Sequence, residues 1–308
     1  MISLLLALSS PADAGTIYVI DAGSQQLKTF DTLTQTFATV GTLGHSFDFG
    51  GMAFHPGTGA MYVTSRSTAD LRTVNLSTGA TSSVGTHGIG DLFGLAYDPN
   101  TGLLWGFSGA SYMAYTLNTS TGAATPQYSL SNYTGGCDYD PVAGQVICNT
   151  AGGGDWYLND TVGLVQTFYA GSAGYINDND IAYDADTGLM WVFDWNGTVY
   201  SYDPAGAYAV QTVRLTGLGP MDGAAVAGAS TPRFTLSRTS GTCPGPMSFT
   251  ATNGTPGGSI VFVYGNPGGA TTIPTGPCAG RVVPVGRARL ITTRTASPAG
   301  SATLSGTV

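Results

Sequence analysis

The chain has 308 residues, 42% of them hydrophobic, which is too apolar for a disordered polymer and long enough for one large core and a smaller one. All 18 acidic residues are Asp, Lys28 is the only lysine, and Gly, Thr and Ser crowd out the strong helix formers, so long helices are excluded. The formal charge of -8 argues against a nucleic-acid partner.

The first fourteen residues read as an export signal. Ile2 to Leu8 is a short apolar run, and Ala12-Asp13-Ala14 offers small residues at the positions a signal peptidase reads, although no basic residue precedes the run. No later stretch is long and apolar enough to span a bilayer. From Gly15 to Gly41 the sequence matches the last three strands of a repeat whose first strand is missing.

Complete copies follow. GMAFHPGTGAMYV starts at Gly51, GLAYDPNTGLLWG at Gly94, GCDYDPVAGQVIC at Gly136 and DIAYDADTGLMWV at Asp180. Each is an apolar strand, a turn with Asp or His, a Gly and a second apolar strand, which predicts a β-hairpin. A second signature trails each hairpin, as in TVNLSTGAT and TLNTSTGAAT. Two hairpins per unit, at a spacing of about 43 residues, predict a four-stranded propeller blade. Residues Gly223 to Val226 (GAAV) then match a lone first strand. Pairing it with the incomplete unit at the start closes a five-bladed ring and removes exposed sheet edges.

The repeat ends at a boundary placed at residues 229–232. Before it, residues 15–228 carry 17 Asp against Lys28, Arg66, Arg72 and Arg214; beyond it, residues 233–308 carry six Arg and no acid. That tail alternates apolar and polar residues between Gly- and Pro-rich turns and predicts a small Ig-like β-sandwich. It stops inside the strand-like SATLSGTV, as if cut. The fold expected is therefore all-β: a five-bladed propeller closed by its N- and C-terminal strands, followed by an accessory sandwich.

Four cysteines permit three pairings. Cys137 and Cys148 sit symmetrically about one hairpin turn and predict one bridge; Cys243 and Cys278 bracket the tail and predict another. Bridges of this kind belong to an oxidising compartment, secreted, periplasmic or at the cell surface.

Loops that enter each blade, and those between its second and third strands, share one face of a propeller. The first set contains His45, Asp48, His87, Asp91, Tyr133, Asn177, Asp178 and Asp222. Asp48, Asp91, Tyr133 and Asn177 each precede their blade's aromatic by six residues, which predicts equivalent positions in a polar ring. Such oxygens suit calcium at Asp48, Asp91 and Asp178, or acid/base chemistry if His45 and His87 join them; they equally suit turn capping by Asp and Asn. No other cofactor is expected. The second set contains Arg66, Asp70, Asp155, Trp156, Asp194 and Trp195. Tryptophan beside a carboxylate in a Gly-rich turn suits a sugar, the ring covering C–H faces and the acid accepting hydroxyls.

The turn DPNTG, with NLSTGAT and LNTSTGAAT, resembles the repeats of secreted bacterial propellers of the broad YVTN, NHL and quinoprotein-like kind, over about residues 15–228. The segment from CPGPMSFTATNG to GPCAG resembles a β-domain appended to many exported bacterial proteins. The first resemblance implies a fold and no activity, since such families hold adhesins, ligand sensors and lyases. The regular Trp docking motif of quinoprotein repeats is missing, so no quinone is inferred. A non-catalytic propeller that binds an extracellular glycan or other macromolecule is the expectation, against a glycan-active hydrolase or lyase and a structural surface protein.

Overall fold

A computed structural model describes residues 3–8, 15–177, 179–227, 235–241, 246–252, 259–266, 271–272, 282–283, 286–295 and 302–307. It divides into two compact units, Gly15–Ser230 and a second made of Met1–Ala14 with Thr231–Val308.

The first unit is a five-bladed β-propeller of four-stranded antiparallel sheets. Four sheets are built in simple chain order, beginning with the inner strands Met52–His55, Leu92–Asp98, Thr134–Asp140 and Asn179–Asp184. The remaining sheet places Met221–Val226 beside Thr16–Asp21, followed by Gln26–Asp31 and Thr36–Thr42. A single 3-10 turn, Pro204–Gly206, is the only helical element among the described residues. The hairpin glycines Gly59, Gly102, Gly144 and Gly188 all have φ between +68° and +70°. That left-handed geometry explains the invariant step between Gly and the second strand.

Blades pack through buried aromatics and small residues. Trp191 and Phe193 interlock with Phe30, with edge-on ring centroids 5.2 and 5.4 Å apart. The outer-hairpin glycine of NLSTGAT is a contact residue: a Cβ on Gly79 would lie 2.5 Å from the Gly41 carbonyl oxygen of the neighbouring sheet. Gly122 meets Gly85 in the same way. The hairpin-turn aspartates also reach sideways. Asp98 accepts from the Thr161 hydroxyl, Asp140 from Tyr208 at 2.9 Å and Asp184 from Thr32 at 2.7 Å, so the turn residue of one blade is fastened to the next. Cys137 and Cys148 face each other across the fourth sheet in chain order and form a disulfide.

The axis is closed rather than open. Gly51, Gly94 and Gly136 bring the inner strands into backbone contact, and an added Cβ would approach neighbouring atoms to 2.4, 2.2 and 2.5 Å. Into this space project two buried carboxylates. Asp180 accepts from the backbone N–H groups of Met52 (2.9 Å), Ala224 (2.7 Å) and Ile181 (2.9 Å), while Asp222 accepts from Gly50 (3.1 Å) and Gly223 (2.9 Å). Burial, reinforced by the neighbouring Asp222, pushes the Asp180 carboxyl well above the usual range.

In the second unit, Ser3–Leu8 pairs antiparallel with Ser259–Asn266, which pairs in turn with Gly286–Thr295. Ser3–Leu8 falls within the apolar run expected to be an export signal. A second sheet joins Thr235–Gly241, Pro246–Thr252 and Ala302–Thr307, and two short strands, Thr271–Thr272 and Val282–Val283, pair separately. Cys243 and Cys278, for which a bridge was expected, lie outside the described residues.

Candidate functional site

The loop Ser46 to Gly50, which leads into the inner strand Met52–His55, carries Asp48 and Phe49. Phe49 has φ +26°, a conformation that costs a bulky L residue of order 1–3 kcal/mol unless its surroundings hold it. They do. The Arg66 N–H donates to the Phe49 carbonyl at 2.9 Å, the Arg66 guanidinium lies 4.6 Å over the Phe49 ring, and Trp195 stacks on that ring at 4.0 Å with planes 24° apart. Since a ring has two faces, Phe49 is held between a cation and an indole.

Two carboxylates flank the cation. Arg66 Nε is 3.5 Å from Asp48 and 3.7 Å from Asp91. Asp48 is itself fixed by the Ser67 N–H at 2.6 Å and the Ser65 hydroxyl at 3.3 Å. Asp91 also has a left-handed backbone, φ +50°. The cluster continues around the mouth: Phe93 lies 6.0 Å from Phe49 and 5.6 Å from Tyr133, and Tyr133 meets Tyr112 at 6.5 Å. Gly109 makes room, for a Cβ there would touch the Tyr133 ring at 3.0 Å. Beside Trp195, the Asn177 amide donates to Asn196 at 3.2 Å.

Arg66, Trp195, Tyr133 and Asn177 therefore lie on loops at one mouth of the ring, with Asp48 and Asp91. The other expected ligand contacts have structural work. Trp156 is fully buried, stacked on Tyr208 at 4.2 Å and edge-on to Tyr202, so the expected ligand platform is core. It is the first residue of the strand Trp156–Asp160, not part of the preceding Gly-rich turn. Asp70 is paired with Arg72 at 2.7 Å. Asp155 accepts from the Ser172 N–H at 2.8 Å, and Asp194, buried, accepts from the N–H groups of Asn177 and Asn196.

The histidines do not join Asp48 and Asp91. His45 Nδ1 is 2.9 Å from the Thr81 hydroxyl, and His87 Nδ1 accepts from the Ile89 N–H at 3.1 Å. Burial lowers both imidazole pKa values, and the carboxylate that acts on both is Asp70. Acid/base work between these histidines and Asp48 or Asp91 has no geometric support. Among the described residues no three His, Cys, Asp or Glu side chains converge as a metal site, and Asp48 and Asp91 face a guanidinium. Asp178 lies outside the described residues.

Sequence reasoning missed Phe49, Phe93 and Tyr112. The available signal was Phe49 between Asp48 and Gly50, an aromatic in a turn with no strand on either side.

No protein-family model matches the chain, and no curated protein does. Among solved structures it is similar to a chain in a nidogen/laminin complex, at 12% identity over 80% of this chain and 88% of that one, with a TM-score of 0.48. It is also similar to a protein of unknown function from Bacteroides thetaiotaomicron VPI-5482, at 16% identity over 66% of this chain and 56% of that one, with a TM-score of 0.45.

Proposed function

We propose that this chain is an exported, non-catalytic binding propeller whose loop-built mouth recognises an extracellular glycan or another hydroxyl-rich macromolecule. One observation carries the reading: the Trp195–Phe49–Arg66 stack with Asp48 and Asp91 at its side. Aromatic faces suit sugar C–H groups, while a guanidinium and two carboxylates supply donors and acceptors for hydroxyls. The same ion pairs weigh against catalysis by Asp48 or Asp91, because both carboxylates already face Arg66. The Cys137–Cys148 disulfide supports an oxidising compartment. We read the sheet shared by Met221–Val226 and Thr16–Asp21 as the clasp of the ring, and the second unit as an Ig-like accessory domain. Kinship with YVTN, NHL and quinoprotein-like propellers rests on the repeat turns.

The test is thermal melting of the full chain with a panel of soluble glycans. A ligand at 100 times its Kd adds about 2.7 kcal/mol. A shift with one glycan class, lost in Arg66→Ala and in Trp195→Ala but kept in Trp156→Phe, is the expected result. A shift that survives both mouth substitutions, or no shift with any glycan, removes the proposal.

A further inference from the structure

The inner strands carry a second ring at the opposite end of the axis. Register aligns Ala53 with Tyr62, Ala96 with Trp105, Asp138 with Ile147, Ala182 with Trp191 and Ala225 with Tyr18. These five residues occupy one equivalent position, which is Ala in four sheets and Asp in one. The next residue in each strand is Phe54, Tyr97, Tyr139, Tyr183 or Val226, so four aromatic side chains surround the mouth. Between them lies a cavity of about 140 Å³, lined by Ala53, Phe54, Tyr97, Asp138, Tyr139 and Tyr183 together with neighbouring small residues. Its size is close to the roughly 150 Å³ at which an engineered apolar cavity accommodates benzene.

Asp138 breaks the repeat inside this cavity and has no internal counter-ion. All four cations of the propeller are engaged elsewhere: Lys28 with Asp21, Arg66 with Asp48 and Asp91, Arg72 with Asp70, and Arg214 with Ser201 and the Trp191 ring. Two backbone bonds hold the carboxylate in place, from Tyr139 N–H at 2.8 Å and Tyr183 N–H at 2.7 Å. A carboxylate offers about four acceptor positions, so half remain. The titratable groups around it are Asp140 and the hydroxyls of Tyr97, Tyr139, Tyr183 and Tyr208; none of these supplies a positive charge. With 17 Asp against four cations, the propeller as a whole also attracts cations.

A carboxylate among aromatic faces is the chemistry that recognises an alkylated ammonium group, which needs charge compensation without competing hydrogen bonds. We propose that the Asp138 cavity is a binding site for a small organic ammonium cation. It is independent of the glycan mouth. The inter-blade bond to Tyr183 explains why an Asp is tolerated there, but the four sheets with Ala show that the ring closes without one.

Choline and its uncharged isostere 3,3-dimethylbutan-1-ol, titrated calorimetrically into the full chain at pH 8, test the assignment. Choline should bind saturably and the alcohol at least tenfold more weakly. Asp138→Ala, which installs the residue of the other four sheets, should lose at least tenfold in choline affinity; Asp138→Asn, which keeps an acceptor for Tyr183, should lose as much. No saturable choline binding, equal binding of the alcohol, or undiminished affinity in either variant overturns the proposal. If both variants unfold, the wild-type comparison of choline with the alcohol decides alone.

Discussion

The two mouths of the propeller are built on opposite plans. At the loop mouth, side chains from different loops compensate one another: Arg66 faces Asp48 and Asp91, and backbone strain at Phe49 is held by a stack on Trp195. At the strand mouth the repeat itself makes the surface, with an aromatic from four of the five blades and Val226 from the fifth, and the one acid in the ring of alanines, Asp138, has no counter-ion. Loops gain specificity by accumulating local exceptions, whereas the ring of strands gains it by one exception to a rule. The floor between them is Asp180, whose acceptors fill the space left by the inner-strand glycines.

Removing that floor should have the largest effect. Asp180→Ala leaves the N–H groups of Met52, Ala224 and Ile181 buried without an acceptor, and orphaning a buried donor costs roughly 1–3 kcal/mol. Urea denaturation should show a loss of about 3 kcal/mol or more. Asp180→Asn should be milder, because burial already holds the carboxyl toward its neutral form and the amide keeps one oxygen acceptor. A loss below about 1 kcal/mol in the Ala variant would mean that the ring is held by its blade interfaces alone.

The strand mouth offers a test through pH. Burial raises the Asp138 carboxyl from 3.8 to about 7, partly opposed by its two backbone bonds. Between those values the unfolded chain releases a proton that the folded chain retains, so this residue lowers wild-type stability as pH rises through the window, with no further loss above it. Asp138→Ala lacks the effect. Its melting temperature relative to wild type should therefore climb between pH 4 and pH 8 by on the order of 10 °C, since a rise of that size is worth about 4 kcal/mol and about 1 kcal/mol moves a domain of this size roughly 2–4 °C. A constant difference across that range would place the Asp138 titration near its unfolded value.

Much of this was legible beforehand, and the boundary is physical. The turn glycines and the Asp-containing hairpins repeat because each solves the same local backbone problem, so strand order and the Cys137–Cys148 pairing follow from spacing. Asp138 was not singled out from the sequence; strand register is what reveals it as the one acid in a column of alanines. What spacing does not encode is contact between distant loops. Nothing near Phe49 announces Trp195, and nothing near Trp156 announces Tyr208, which arrives from the turn after Pro204–Gly206 and takes the indole into the core. The turn aspartates carried a half-correct signal: they do cap their own turns, as Asp140 does for Val142 N–H at 2.7 Å, and their second oxygens reach the next blade.

The smallest expected effect lies beside the loop mouth, at His87. Because Nδ1 accepts from the Ile89 N–H, the neutral ring carries its proton on Nε2, which is buried without a partner. Burial disfavours the imidazolium more than nearby Asp70 favours it, so the folded pKa falls below 6.5. As pH falls below 6.5 the unfolded chain gains a proton the folded chain refuses, and stability declines until the folded pKa is passed. An NMR titration should place the His87 midpoint below 6.5 and show the Nε2–H tautomer at neutral pH. A midpoint above 6.5 would instead mean that Asp70 dominates, joining His87 to the charge network around Arg72 and making the periphery of this mouth responsive to mild acid.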